Sequence, residues 1–577
     1  MTLLTEPVPA LQTEAPCHVH VLTDRCAGCQ ECIVRCPTGA LSLDADSWVA
    51  EADDRMCVGC RQCVRTCPFS AIEVHGPTLV GPRSEADPAP AGPPGPGVEE
   101  IHAGFADWSE ALAEADRCLL CPDPTCVRGC PAHNDIPALI AAIRERDLEA
   151  AHQVLRRTTV LPDVCSRVCN QSAQCEGACS WSLAGGVPVA IGRLERFVAD
   201  QLRCPPPTGA GDRGRGMDVA VIGSGPAGIG AAWQLIEEGA RVTVFERDAA
   251  PGGLIDWGIP DFSLPPAVAG RAWQQLLEAG VDLRCGHAVS PADVDRLRGD
   301  YDAVLLAVGA GQAVRMAVPG ADLEGVVDAT GFLQGAKYAL RPGGDPEAFL
   351  DGLGLGAAFG DPERVLVLGA GNTAMDVGRT ARRLGLQAIC VDWVDEAFAL
   401  ARPDELEEAR REGVEIRFAR TLTELSGRAG RVSAARLAVT TQSRPDRLPK
   451  VLKGRREDLP VDLVVMAMGY RVEPAFAAAL PGLPVRKVQQ GVPDRRWQAS
   501  GILAAPASAF AHSSPVGRLA LGREVGLGAA ARPVTDRLWA IGDALTGPST
   551  VVEAMAQGRR AAAAVLATRP RRPGPVI

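Results

Sequence analysis

From residue 217 onward, short apolar runs alternate with stretches of helical period. Residues 219–222 form one such run, a helical stretch follows, and Arg241–Phe245 supplies a second run that ends in Glu246. Residues 301–308 read as a further strand closing on Gly309 and Ala310. The order then recurs, with a strand at 365–368, a helix at 375–384, a strand at 388–391 ending in Asp392, and a strand at 461–468 closing on Gly469. A last strand, 538–542, ends in Asp543 and precedes a helix at 549–565. This alternation predicts a multidomain α/β protein with two Rossmann-like dinucleotide-binding domains. The first 204 residues lack it: helical period shows at 108–117 and 136–154, and the remainder is short segments between cysteines.

Composition narrows the class. The 577 residues carry a net charge of −11 and a pI near 5.4, which argues against a nucleic-acid partner. No apolar run reaches the roughly 18 residues a membrane span requires. The first seventeen residues lack the basic segment and apolar core of a signal peptide. Of twenty cysteines, seventeen fall before residue 180, leaving Cys204, Cys285 and Cys390 beyond. Clustered cysteines in a long chain without a leader point to metal ligation in a reducing cytoplasm rather than to disulfides.

Pro/Gly-rich stretches at 81–97 and 204–216 read as linkers. The expected domains are a ferredoxin-like α+β domain at 1–80, a linker at 81–99 and an α-helical iron–sulfur domain at 100–204. An FAD-binding domain in two parts, 217–335 and 501–568, encloses an NAD(P)-binding domain at 336–500, and 569–577 forms a disordered basic tail. The first linker implies that the ferredoxin module can be cut away without unfolding the rest.

The first module contains a repeat. Cys26, Cys29, Cys32 and Cys36 form C-x2-C-x2-C-x3-C-P, and Cys57, Cys60, Cys63 and Cys67 repeat it. This is the bacterial two-cluster ferredoxin spacing, in which the fourth cysteine of each run serves the other cluster. One 4Fe–4S cluster then takes Cys26, Cys29, Cys32 and Cys67, and the second takes Cys57, Cys60, Cys63 and Cys36. Zinc sites pair two C-x-x-C units and need no third cysteine two residues on. Cys17 lies outside the pattern as a spare thiol. The second module carries Cys118, Cys121, Cys126 and Cys130, then Cys165, Cys169, Cys175 and Cys179. Spacing alone is compatible with one cluster per group or with interleaved ligands.

Two glycine turns sit where dinucleotide turns belong. Gly223, Gly225 and Gly228 follow the first strand: for the tight turn, for approach of backbone to a pyrophosphate, and for close helix–strand packing. Glu246, at the end of the second strand, is placed to accept from a ribose hydroxyl. The second turn runs Gly369, Ala370, Gly371, Asn372, Thr373, Ala374, with Ala374 at the third-glycine position and Asp392 at the acid position. Two nucleotide sites suggest one tightly held flavin and one exchanging nicotinamide. Electrons would pass from NADH or NADPH to FAD, then singly through iron–sulfur clusters to a protein partner; the cofactors carry the chemistry, so no catalytic side chain is required.

From about residue 106 onward the chain resembles the small subunit of bacterial glutamate synthase and the N-terminal half of dihydropyrimidine dehydrogenase. The stretches that carry this are RCLLCPDPTCVRGCPAHNDIP, RVCNQSAQCEGAC, GSGPAG, GGLIDWGIPDF, GAGNTAMDVGRTARRLG and AIGDALTGPSTVVEAMAQGRRAA. The resemblance implies interleaved ligands: Cys118, Cys121, Cys126 and Cys179 for one cluster, and Cys130, Cys169 and Cys175 with Glu195 for the other, leaving Cys165 over. It implies four 4Fe–4S clusters in all. It lays Gly253 and Leu254 along FAD, places 258–265 beside the flavin, and brings Gly542 and Asp543 to its ribityl chain. The implied partner is a glutamate synthase large subunit or another iron–sulfur enzyme that accepts or donates electrons. NADPH-using members carry a Tyr-Arg-Arg stretch where Trp393, Val394 and Asp395 stand here, which with Asp392 favours NADH unless Arg402 swings in to bind the 2′-phosphate.

Overall fold

The computed structural model describes residues 17–79, 100–101, 104–355, 363–443, 448–473, 476 and 537–568. The linker at 81–97, the boundary at 500/501 and the tail at 569–577 lie outside the described residues. The chain divides into two compact units. One takes stretches 1–86, 104–157 and 171–202; the other takes 87–103, 158–170 and 203–577. They are called here the cysteine unit and the nucleotide unit.

In the cysteine unit the repeat of the sequence is a repeat of backbone. Strand His18–Val21 pairs antiparallel with Ile72–His75, and Leu41–Leu43 pairs with Ala50–Ala52. Each cysteine run ends in a short helix, Glu31–Val34 and Gln62–Thr66. Left-handed residues recur 31 positions apart (57 − 26), at Gly28 and Gly59, Gln30 and Arg61, and Gly39 and Ser70. Such conformations wrap a short chain tightly around a common centre.

The helical part begins with Trp108–Ala115, capped by the Asp107 carboxylate, which accepts from Ser109 N and Glu110 N. The helical-period stretch at 136–154 is two helices, Ile136–Arg144 and Leu148–Thr158. The break falls at Arg146, whose φ is +57°, so the second helix turns back across the core. Ile136, Leu139, Ile140, Ile143, Leu155 and Leu194 fill that core almost without exposure. Cys60 and Val58 of the ferredoxin part pack into the same core. Polar ties join the two parts: Gln62 Nε2 donates to Asp123 O at 2.9 Å, Arg35 Nε to Asp123 Oδ2 at 3.0 Å, and Arg61 Nη1 to Ala184 O at 2.9 Å. The sequence suggested a detachable ferredoxin module; the structure gives it a shared core.

The nucleotide unit holds two five-stranded parallel sheets. The first has the order Leu538–Ala540, Ala303–Leu306, Asp218–Ile222, Arg241–Phe245, Asp282–Arg284. The second runs Val326–Asp328, Leu463–Met466, Arg364–Leu368, Gln387–Val391, Glu415–Arg417. Central strands are buried on both faces, which is why their sequences are unbroken apolar runs. Helices Pro226–Glu237 and Val551–Ala567 pack so closely that a Cβ on Gly558 would stand 2.0 Å from Ala227 O, and one on Gly230 2.2 Å from Met555 O. A three-stranded antiparallel sheet, Arg420–Arg428, Arg431–Thr441 and Lys450–Pro460, was not anticipated. Many of its outward positions are Arg, Glu and Lys, which mask an alternating strand pattern.

Candidate dinucleotide and iron–sulfur sites

The first glycine turn hangs between two strand ends. Gly223 N donates to Phe245 O at 2.8 Å, and Ala307 N to Ile222 O at 2.8 Å. Gly223 has φ +106°, and a Cβ on Gly228 would lie 2.1 Å from Gly223 O, so helix and turn touch backbone to backbone. Space beside Gly225 is open to 4 Å, a cradle over the N-terminus of Pro226–Glu237. Free N–H groups and the helix dipole favour a pyrophosphate there. Gly253 closes one side, a Cβ on it lying 3.1 Å from Gly225 Cα, and Leu254 opens the helix Leu254–Trp257. Gly542 stands against the same helix, a Cβ on it lying 2.7 Å from the Ala227 side chain.

Glu246 is 5% exposed and grips the turn itself. Its Oε2 accepts from Ser224 N at 3.0 Å and from the Ser224 hydroxyl, and Oε1 accepts from Asp248 N at 2.9 Å. Each carboxylate oxygen thus has at least one lone pair engaged by the turn. Ser224 was missed from the sequence although it stands inside the turn. Its hydroxyl accepts from Gly252 N at 3.0 Å, and its carbonyl from Trp273 Nε1 at 2.9 Å. Asp543 Oδ1 accepts from Ser549 N at 3.0 Å and from Ser549 Oγ at 2.6 Å. Burial pushes its carboxyl up to about 6 against those hydrogen bonds.

The second turn repeats the plan. Gly369 N donates to Val391 O and Ala467 N to Leu368 O, at 2.8 and 2.9 Å. Gly371 is open to 4 Å above the N-terminus of Asn372–Arg383. Asp392 Oδ2 accepts from Ala370 N at 2.9 Å, and Oδ1 from Val394 N at 3.1 Å. Asn372 Oδ1 accepts from Arg402 N at 2.9 Å, and Thr373 shares a hydrogen bond with the Tyr470 phenol. Arg402 is not poised to swing: Nη1 donates to Cys169 O at 3.1 Å, Nε to Asp404 Oδ1 at 3.1 Å, and the side chain is buried.

The stretch at 258–265 is fastened to the second domain by charges that the sequence reading overlooked. Asp261 bonds Lys337 Nζ at 3.0 Å and Arg341 Nε at 2.7 Å. Phe262 lies under the guanidinium groups of Arg379 and Arg383, at 4.9 and 3.7 Å. Arg379, wholly buried, is neutralised by Glu405, Glu408 and Glu412. The i, i+4 pair of arginines on a helix otherwise buried was the signal available for this clamp.

In the cysteine unit an apolar cavity is lined by Cys26, Cys29, Cys32 and Cys67, with Gly28, Leu43, Ala50, Phe69, Ala71 and Ile72 completing its wall. The Cys26 and Cys67 sulfurs accept from Ala50 N and Ala71 N at 3.5 and 3.3 Å. Burial pushes the Cys63 thiol up to about 12, reinforced by Cys60, Cys36 and Cys57. Cys126 is raised by burial and then by Cys179, Cys118 and Cys121. Cys175 is raised by burial and by Glu195, Glu176 and Cys130. Three sets of cysteines thus gather in this unit, around Cys26, Cys63 and Cys126, each drawing on both halves of its sequence repeat or motif pair, and Cys130 and Cys175 lie near Glu195.

Among the described residues no three His, Cys, Asp or Glu side chains close on a single ion. Zinc would need its sulfurs about 3.8 Å apart, given a Zn–S bond of about 2.3 Å. Glu195 is held by Asn134 Nδ2 at 3.1 Å, and burial pushes it up to about 7. Cys165 and Cys169 belong to the nucleotide unit, where Cys165 lies buried with its sulfur 3.8 Å from the Thr159 hydroxyl. Cys17 is buried and its thiol donates to Pro77 O at 2.6 Å, a structural contact.

Comparison with known proteins agrees with this layout. Residues 18–68 match the 4Fe–4S dicluster domain, 97–204 the 4Fe–4S domain II of dihydropyrimidine dehydrogenase, and 217–504 the pyridine nucleotide-disulphide oxidoreductase family. The glutamate synthase [NADPH] small chain of Escherichia coli (strain K12) is 33% identical over 481 residues, covering 81% of this chain and 93% of that one. UacF of the same organism is 32% identical and covers 93% of this chain and 80% of its own length. The beta subunit of the NADP(+)-dependent formate dehydrogenase of Moorella thermoacetica is 31% identical over 76% of this chain and 59% of that subunit. With both glycine turns and the cysteine modules in family order, this chain belongs to the glutamate synthase small-chain-like family of FAD- and NAD(P)-dependent iron–sulfur oxidoreductases.

Proposed function

We propose that this chain takes electrons in pairs from NAD(P)H and delivers them singly to a protein acceptor in the cytoplasm. The observation that carries the reading is the pairing, in one nucleotide unit, of two glycine turns of the same plan, alongside a unit that gathers most of the cysteine motifs. When bound, FAD supplies the exchange between hydride and single electrons that the protein itself lacks. Gly223 and Gly225 bring backbone N–H groups to its pyrophosphate, Glu246 holds a ribose hydroxyl, and Gly253, Leu254, Gly542 and Asp543 border it. The second turn, with Gly369, Gly371, Asn372 and Thr373, holds the nicotinamide dinucleotide over the matching helix N-terminus.

Asp392 receives the adenosine ribose as a diol. A carboxylate about 4 Å from a phosphate charge costs roughly 4 kcal/mol at an effective dielectric near 20. With Arg402 anchored elsewhere, that cost makes NADH the preferred donor. Four 4Fe–4S clusters complete the conduit: Cys26, Cys29, Cys32 and Cys67; Cys57, Cys60, Cys63 and Cys36; Cys118, Cys121, Cys126 and Cys179; and Cys130 and Cys175 with Glu195. Cys169 enters the last set from the family pattern alone.

The acceptor is a glutamate synthase large subunit or another iron–sulfur enzyme. The second choice draws support from the ferredoxin part, whose cluster cavity lies at residues 26–72, outside the stretch that resembles the small subunit. Among the described residues no helix is long and apolar enough to cross a membrane. Anaerobic iron and flavin analysis tests the inventory: one flavin and about 16 iron atoms per chain are expected from four cubanes. A count near eight would leave one cysteine module empty and overturn the four-cluster reading.

A further inference from the structure

Arg65 occupies an unusual place. It lies in the last turn of Gln62–Thr66, between two cysteines of the second ferredoxin run. The side chain is half-buried and turns inward. Nη1 donates to Cys60 O at 2.9 Å, while Nη2 is buried with no hydrogen-bond partner among the described residues. A guanidinium N–H left dry and unpaired loses its hydration without return, so such a group ordinarily has an acceptor.

Two cysteine groups meet at this point: Cys60, whose carbonyl Arg65 holds, packs in the core that contains Cys118, Cys126 and Cys179 of the helical part. The joint is fixed by the Gln62, Arg35 and Arg61 hydrogen bonds described above.

We propose that Arg65 is a potential-setting residue shared by two clusters, its Nη2 donating to cluster sulfur where the Cys36/Cys57/Cys60/Cys63 and Cys118/Cys121/Cys126/Cys179 sites meet. The guanidinium stays ionised at any working pH. A fixed cation favours the reduced, more negative form of each cluster, and an N–H···S bond does the same. The joint is therefore the crossing between the ferredoxin and helical parts. With both sites loaded, a single electron would cross at this joint, with no proton or bond to carbon involved. This rests on the cluster assignments proposed above.

The test is a mediated redox titration of the full, anaerobically purified chain with a chemical reductant, read by EPR. Cys60→Ser and Cys121→Ser variants assign the two signals. Arg65→Gln is expected to make both clusters at least tenfold harder to reduce, about 59 mV for one electron, with the remaining clusters and flavin unmoved. Arg65→Lys, which keeps the charge, should recover most of the shift. Unmoved potentials in Arg65→Gln with full iron content, or a shift confined to one cluster, would overturn the proposal. Should Arg65→Gln lose iron, the unaltered chain decides: on full reduction the two assigned signals broaden each other, and independent signals refute a shared joint. No nicotinamide enters the titration. Failure of NADH or NADPH to reduce any cluster would count against the electron-conduit reading while leaving the Arg65 result standing.

Discussion

The two glycine turns of the nucleotide unit share their strand hydrogen bonds and their acid, and differ in how tightly they are enclosed. Around the first, Gly228 and Gly558 bring two helices and the turn into backbone contact, and Gly253 and Gly542 stand against the turn and its helix. Its acid, Glu246, is nearly sealed and bonded to Ser224 and Asp248. Around the second, Ala374 already carries the Cβ that Gly228 cannot, and Asp392 is only partly buried. An enclosed turn suits a cofactor that stays; a looser one suits a cofactor that comes and goes each cycle.

The largest effect should follow from adding one carbon to the enclosed turn. Gly228→Ala places a methyl 2.1 Å from Gly223 O, where no side chain can yield. Overpacking of this kind costs about 1–3 kcal/mol, and the flavin-to-protein ratio should fall at least tenfold on gel filtration. Ala374→Gly should leave flavin content unchanged. Equal flavin loss from both would erase the distinction between the turns.

Next in size is Gly558→Ala, whose methyl meets Ala227 O at 2.0 Å. Thermal unfolding of the flavin-loaded chain should drop by several degrees, on the order of 1–3 kcal/mol. EPR signals of the clusters whose proposed ligands all lie in the cysteine unit should hold.

Much of this was legible in advance. Glycine spacing, apolar runs and terminal acids located both turns, because each depends on a few residues close in sequence. The ferredoxin repeat was equally local. The Asp261–Lys337–Arg341 clamp, the Phe262–Arg379–Arg383 stack and the place of Arg65 were not, since each joins residues whose nearness only the fold creates. The helix break at Arg146 was missed because apolar period continues across it, and a single left-handed residue leaves no compositional trace.

The acids sharpen the comparison further. Asp392→Ser removes the carboxylate that would face a 2′-phosphate, and should shift the ratio of kcat/KM for NADPH over NADH upward by about tenfold, or 1.4 kcal/mol. Flavin content should not change. Glu246→Gln should do the reverse, weakening flavin retention and leaving nicotinamide preference alone. An unmoved preference in Asp392→Ser would mean that an acid outside the motif reads the ribose.

The smallest effect is expected from Arg402→Lys. Because Arg402 is tied to Cys169 O and Asp404, its loss should alter nicotinamide preference less than about threefold, within 0.7 kcal/mol. A larger drop in NADPH use would show that this arginine reaches the second site after all.

The central claim is that both units form one electron path, and rapid-freeze EPR of the anaerobic full chain mixed with NADH tests it most directly. The account predicts that flavin bleaching is followed, within the turnover time, by the signal of at least one reduced 4Fe–4S cluster, and that NADPH gives the same signal more slowly. Flavin bleaching with every cluster still oxidised, in a chain whose iron is complete and reducible by a chemical reductant, would contradict it.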